Sequence, residues 1–189
     1  MADPFGVLDM APSLLLDPEE IERRWREKTR AAHPDTGTAS PEASRETAEL
    51  NEARQRLVDP AGRLGAWLQR QGAENPVAPT LDPGLTAFFA EIGSVFTPVD
   101  ELIDRRRQAT TAIAKALLAQ REVEAQLSLQ EIMQSIQERR SAIEARFPAF
   151  EDDATQGRLD EASDALARLR FLQKWEAGCR ERLLALLEE

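Results

Sequence analysis

A chain of 189 residues with 42% hydrophobic and 31% charged side chains has the composition of a folded, mostly helical protein of one or two domains. Its formal charge of −10 excludes the broad basic face that a nucleic-acid binder needs, so no nucleic-acid partner is expected. One cysteine (Cys179) and one histidine (His33) rule out an internal disulfide framework and leave too few soft ligands for a metal site within one chain; no metal or cofactor is expected.

No charged-then-apolar leader and no apolar run of membrane-spanning length is present, which predicts a cytoplasmic protein without a membrane partner. Helix starts are marked by a capping residue followed by proline, which is tolerated at the first helical position. The device recurs at Asp17-Pro18, Ser40-Pro41, Asp59-Pro60, Asp82-Pro83 and Thr97-Pro98.

After a short turn over Pro4–Met10, a helix is predicted from Pro18 to Ala32, with Glu20 closing a capping box on Asp17. Ile21, Trp25 and Ala32 share its inner side. Arg23, Arg26 and Arg30, spaced i, i+3, i+7, form a basic stripe on another face. Pro34 disfavours helical geometry at His33, so the helix stops there and "HPD" is presented at a turn beside the stripe. Taken alone, such a histidine reads as a solvated helix end. The next helix, from Pro41 to about Val58, turns Ala43, Thr47, Leu50, Ala53 and Leu57 inward and pairs antiparallel with the first. A helix from Pro60 to Arg70 covers that hairpin with Leu64, Trp67 and Leu68, and Gln71 to Thr80 reads as a linker.

The second half is helical throughout. Leu85, Phe88, Phe89, Ile92 and Phe96 mark one helix, and Val99, Leu102, Ile103, Ile113 and Leu117 the next. A break is expected at Ser128, which forms a capping box with Glu131 and has Leu127 and Ile132 placed as a staple. Leu129, Ile132, Ile136, Ile143 and Phe147 line the helix after it, and Leu159, Leu166, Leu169, Leu172 and Trp175 the last one. The class is all-α, with a three- or four-helix bundle in this half. Phe88 and Phe89 lie about 100° apart on a helix, so one points inward while the other stays near the surface. Leu85, Phe89 and Ile92 share the better stripe, which predicts Phe88 as the exposed one. Leu169 and Leu172 fill the core stripe of the last helix and leave Phe171 at its edge. Cys179 is expected to pack as a small apolar residue. No constellation of catalytic residues is present, and the chain is not read as an enzyme.

Residues 3–70 resemble a J-domain: "DPFGVLDM" opens the segment, "HPD" sits between two helices, and "LNEARQRLVDPAGR" matches the third helix. The resemblance implies that His33, Pro34 and Asp35 engage a DnaK-type chaperone and stimulate its ATP hydrolysis. It also implies basic contacts from the preceding helix, for which Arg26 and Arg30, and with them Arg23, are placed. The second half is similar to the C-terminal domain of HscB, the J-protein of iron–sulfur cluster assembly, most closely in "RLDEASDALARLRFLQKW". This implies a J-domain over 1–72, a linker over 73–81 and an HscB-like bundle over 82–189, working with an HscA-type chaperone. The implied client is an IscU-like scaffold, for which Phe88, Phe89, Glu91 and Ile92 on the first bundle helix, with Phe171, are the candidate contacts. The chain departs from the family pattern at Lys28, where leucine is usual, at Ala32, where an aromatic is usual, and at Thr36, where a basic residue is common. The first bundle helix reads "FFAEIGSVFTPVDEL", without the family's acidic continuation. A structural or adaptor protein with a passively docking J-domain is the alternative reading.

Overall fold

The structure is a computed structural model that describes residues 2–32, 41–73 and 82–187. Among these the chain is all-α: α1 (Pro4–Val7), α2 (Pro18–Ala32), α3 (Pro41–Val58), α4 (Pro60–Arg70), α5 (Pro83–Gln108), α6 (Ala112–Glu144), α7 (Phe147–Ala154) and α8 (Asp160–Leu187). No helix of the described residues is long and apolar enough to cross a membrane.

The aspartate–proline starts act locally. Asp59 accepts from the Gly62 N–H at 2.7 Å and Asp82 from the Leu85 N–H at 2.8 Å, each satisfying a donor that the first helical turn leaves open. Asp3 caps α1 in the same way, and Asp17 accepts from Glu19 N at 3.0 Å. Glu20 does not close the expected capping box. Its carboxylate turns along the helix to Arg23 and Arg24, where two cations outbid one backbone donor.

The chain divides into two compact units, one of residues 1–78 and 143–169, the other of 79–142 and 170–189. In the first, α2 and α3 form an antiparallel hairpin, because Glu22 pairs with Arg54 while Trp25 Nε1, one turn on, donates to Asn51 at 3.0 Å. Ile21, Leu50, Ala53, Leu57, Leu64, Trp67 and Leu68 are buried as the periodicity predicts, and Phe5 and Leu8 of the opening turn join them. Gly62 lets α4 cross α3 closely: a Cβ there would lie 2.5 Å from the Arg56 carbonyl oxygen.

The same core takes in Phe147 and Phe150 of α7 and Ala162, Ala165, Leu166 and Leu169 of α8. Glu151 clamps this packing by accepting from Leu14 N at 2.6 Å and Ser13 Oγ at 2.9 Å. Arg63 is buried beneath it, donating to the Leu16 carbonyl at 3.2 Å with its guanidinium 5.6 Å from the Phe147 ring centre. Burial pulls the Arg63 pKa below its ordinary value, against the opposing pull of Glu144 and Asp59. This division of the chain differs from the sequence boundaries at 72 and 82, since residues 143–169 pack with the N-terminal helices.

The second unit is a three-helix bundle. Phe88 lies beneath Arg139 and Arg106 pairs with Glu122, so α5 and α6 run antiparallel. Phe96 meets Trp175 and Asp100 meets Arg182, so α5 and α8 run parallel. Two predicted helix ends are corrected. Helix α5 continues through Thr97-Pro98; Pro98 and Ser94 are both exposed, so the carbonyl that loses its donor lies on the solvent side, where the cost of an interior proline is least. Helix α6 runs unbroken past Ser128 and Glu131. The chain turns instead at Ala109–Thr111, where Thr111 Oγ1 accepts from Ala114 N at 3.2 Å. Ile113 and Leu117 therefore do not extend the stripe of Val99, Leu102 and Ile103; they sit on the outer face of a new helix whose inner face is Leu129, Ile132 and Ile136.

Candidate functional site

The solvent face of α2 carries the first candidate surface. His33, Pro34 and Asp35 follow its last residue, Ala32, and precede α3; they lie outside the described residues, as does Thr36. Of the basic stripe, Arg23 is already matched, donating to Glu20 at 2.9 Å and to Glu27 at 3.2 Å. Hydrogen bonds from Arg23 first, then from Arg24, hold the Glu20 carboxyl below its ordinary range. Arg26 and Arg30 are exposed and make no ion pair among the described residues. They share a shallow hollow with Glu19, Glu22, Arg23 and Glu27, so the stripe is a mixed-charge face with two uncommitted cations.

The hairpin behind this face is braced by polar contacts. Lys28, where the family pattern has leucine, is half-buried and pairs with Asp9 at 2.6 Å, linking α2 to the turn after α1. Asp9 itself has φ +50°, which aspartate tolerates better than most residues. On the other side Arg54 stacks 4.7 Å from the Trp25 ring centre while bonding Glu22. Asn51, Arg54 and Asp9 had no signal in the periodicity, because each acts across elements.

The second candidate surface lies on the bundle. Phe88 is 1% exposed and Ile92 is fully buried, which reverses the expectation that Phe88 is the surface residue and removes Ile92 as a contact. Both residues of the Phe pair satisfy helical spacing to Leu85 and Ile92. Helix α8 decides between them by presenting aromatic partners to Phe89. Phe89 is half-buried, stacked on Phe171 with centroids 5.4 Å apart and tilted against Trp175 at 6.0 Å. Trp175 in turn meets Phe96 edge-on at 5.7 Å, and Arg182 lies 3.7 Å from the Phe96 ring centre. Gly178 makes room for that ring; a Cβ there would come within 3.1 Å of it.

Phe171 stands at the edge between buried Leu169 and Leu172, as the spacing predicts, and Glu91 is exposed one turn from Phe88. Trp175 belongs to this cluster and not to the core stripe in which the periodicity placed it; its i, i+4 spacing from Phe171 is the signal that points there. The resulting surface is a row of half-buried aromatics, Phe89, Phe171 and Trp175.

No family model matches the sequence. Among solved structures the chain is similar to human co-chaperone protein HscB, at 17% identity over 96% of this chain and 84% of that one, with a TM-score of 0.57. It is also similar to chaperone HscB from Vibrio cholerae, at 19% identity over 95% of this chain and 96% of that one, with a TM-score of 0.54. The likeness takes in both halves of the chain, and the resemblance first read from the residues holds at the level of architecture: this chain has the all-α fold of the HscB co-chaperones.

Proposed function

We propose that the protein is a J-domain co-chaperone of the HscB kind, acting in the cytoplasm and not itself an enzyme. It stimulates ATP hydrolysis by a DnaK/HscA-type chaperone through His33, Pro34 and Asp35, and delivers a client through the bundle. The observation that carries this reading is the HscB fold over 96% of a chain whose sequence has His-Pro-Asp between α2 and α3. Hydrolysis takes place in the partner's nucleotide site, and the co-chaperone acts by binding one conformational state of that partner better than another. Arg26 and Arg30 steer an acidic partner surface toward the turn, and the acidic remainder of a chain whose overall net charge is −10 keeps the approach oriented. In this reading residues 1–72 contact the chaperone and residues 82–189 hold the client, an IscU-like scaffold docked on Phe89 and Phe171.

Single-turnover ATP hydrolysis by a DnaK/HscA-type chaperone, measured with and without this protein, is the test. Stimulation by the wild type that is abolished by His33→Gln, with unchanged helicity and melting, is the expected result. Undiminished stimulation by His33→Gln removes the assignment of the motif. Binding without stimulation selects the passive adaptor instead, although the Lys28–Asp9 pair favours a hairpin held in place over one that has decayed.

A further inference from the structure

The N-terminal half of α6 is apolar on two opposite faces. One face runs through half-buried Ala114, Leu118 and Ala125 into Leu129, Ile132 and Ile136, which are buried in the bundle. The other carries Ile113, Leu117, Val123 and Leu127, which are 76%, 75%, 55% and 55% exposed. A helix with apolar residues all round is ordinarily covered all round, and contiguous exposed apolar surface marks an interaction site.

The spacing of these residues says what covers them. Ile113, Leu117, Gln120, Val123 and Leu127 are separated by four, three, three and four residues, a pattern symmetric about Gln120. A twofold contact must be complementary to itself. Laid antiparallel on its own copy, with the twofold axis at Gln120, this stripe sets Ile113 against Leu127 and Leu117 against Val123. Gln120 then meets its own copy at the centre, while its Nε2 already donates to Glu124 at 3.1 Å within the helix.

The charges agree. Residues 113–127 contain two basic side chains, Lys115 and Arg121, and two acidic ones, Glu122 and Glu124. The seam is therefore neutral in a chain of net charge −10, and copies that repel elsewhere approach here at least cost. Exposed Glu131 ends the stripe. Four side chains so exposed, with Ala116 and Gln120 between them, give a pair that buries roughly 800–1,000 Å², the size of a weak, transient contact and short of a stable one.

We infer that the outer face of α6 is a self-association surface, pairing antiparallel with a second copy of this chain in a weak, concentration-dependent dimer. This holds independently of the co-chaperone reading. Sedimentation of the full chain across the micromolar range tests it. The apparent mass is expected to rise toward twice the monomer's, further so in sulfate, which strengthens apolar association. The Leu117→Glu, Val123→Glu double variant is expected to stay monomeric with unchanged helicity, since both positions are exposed.

Register is tested with a short bis-maleimide linker. Gln120→Cys is expected to cross-link to itself, while Ile113→Cys alone does not, being some seven residues, about 10 Å, from the axis on each copy. The wild type, whose Cys179 is buried, is the blank. A monomer at every concentration overturns the inference, as does equal cross-linking of Ile113→Cys, which signifies a parallel pair. A monomer whose double variant loses an IscU-like scaffold also overturns it and assigns the stripe to the client.

Discussion

Phe89 of α5 and Phe171 of α8 stack 5.4 Å apart and are both half-buried, whereas Phe88, the next residue along, is sealed in the bundle beneath Arg139. Two adjacent phenylalanines thus divide between a half-exposed aromatic cluster and core packing. The half-buried pair combines large apolar area with a shape fixed by mutual contact, which are the properties of an interface anchor.

Phe88→Ala is expected to lose about 3–5 kcal/mol of stability, because it leaves a cavity under Arg139. Phe89→Ala is expected to lose about 2 kcal/mol or more of affinity for an IscU-like scaffold, with a smaller loss of stability. Denaturant melts and a binding titration on the two variants separate these effects. A Phe88→Ala protein that melts like the wild type contradicts the packing described here.

The uncommitted cations of α2 make a second prediction. Reversing Arg26 and Arg30 to Glu is expected to weaken association with a DnaK/HscA-type chaperone by about tenfold or more. Arg23→Ala is expected to matter much less, because Glu20 and Glu27 already offset that charge. Wild-type affinity falls as salt is added, since exposed charges are screened. Association rates at two ionic strengths check all three, and indifference to both salt and charge reversal would place the contact elsewhere.

Glu151 is predicted to hold the first unit together. Glu151→Ala strands the Leu14 N–H and the Ser13 hydroxyl, and is expected to cost about 1–3 kcal/mol in equilibrium unfolding. A fragment of residues 1–72 lacks Phe147, Phe150, Leu166 and Leu169 and is expected to be less stable than the same helices in the whole chain. A fragment as stable as the whole chain would show that these residues add nothing to the core.

Cys179 yields a prediction with a sign. Burial raises its pKa from 9.0 to about 11; Arg182 pulls it down and Glu176 pushes it up by less. The fold thus favours the protonated thiol. The stability this contributes is complete below pH 9, where the unfolded thiol is also protonated, and is lost as pH rises toward 11. Alkylation at pH 8 is expected to be slow in the native chain and fast once denaturant unfolds it. Native-state alkylation as fast as that of the unfolded chain would refute burial of the thiol.

The local signals of the sequence were reliable wherever the physics was local. Asp17, Asp59 and Asp82 cap their helices because a cap needs only a side chain and the next few backbone donors. The inner stripe of Leu50, Ala53 and Leu57 was legible because a strongly one-sided helix buries that side whatever its partner.

Choices between locally equivalent options were not legible. Ser128 with Glu131 has the spacing of a helix start, but the chain turns at Thr111, and α6 keeps Leu129, Ile132 and Ile136 on one buried line past Ser128. Phe88 and Phe89 fit the same spacing to Leu85 and Ile92, and only the ring of Phe171 on α8, brought beside α5 by the fold, takes Phe89 to the edge. Phe147 read as a core residue from periodicity, but which core it joins, with Phe150 beside it, was set by Leu14, Ser13 and Arg63, more than eighty residues away. Sequence by itself determined the helical class, most helix starts and the position of His-Pro-Asp between two helices, since these depend on neighbours along the chain. Tertiary structure alone decided which apolar face meets which partner and which face is left exposed, because burial is a property of pairs of elements and no single helix carries it.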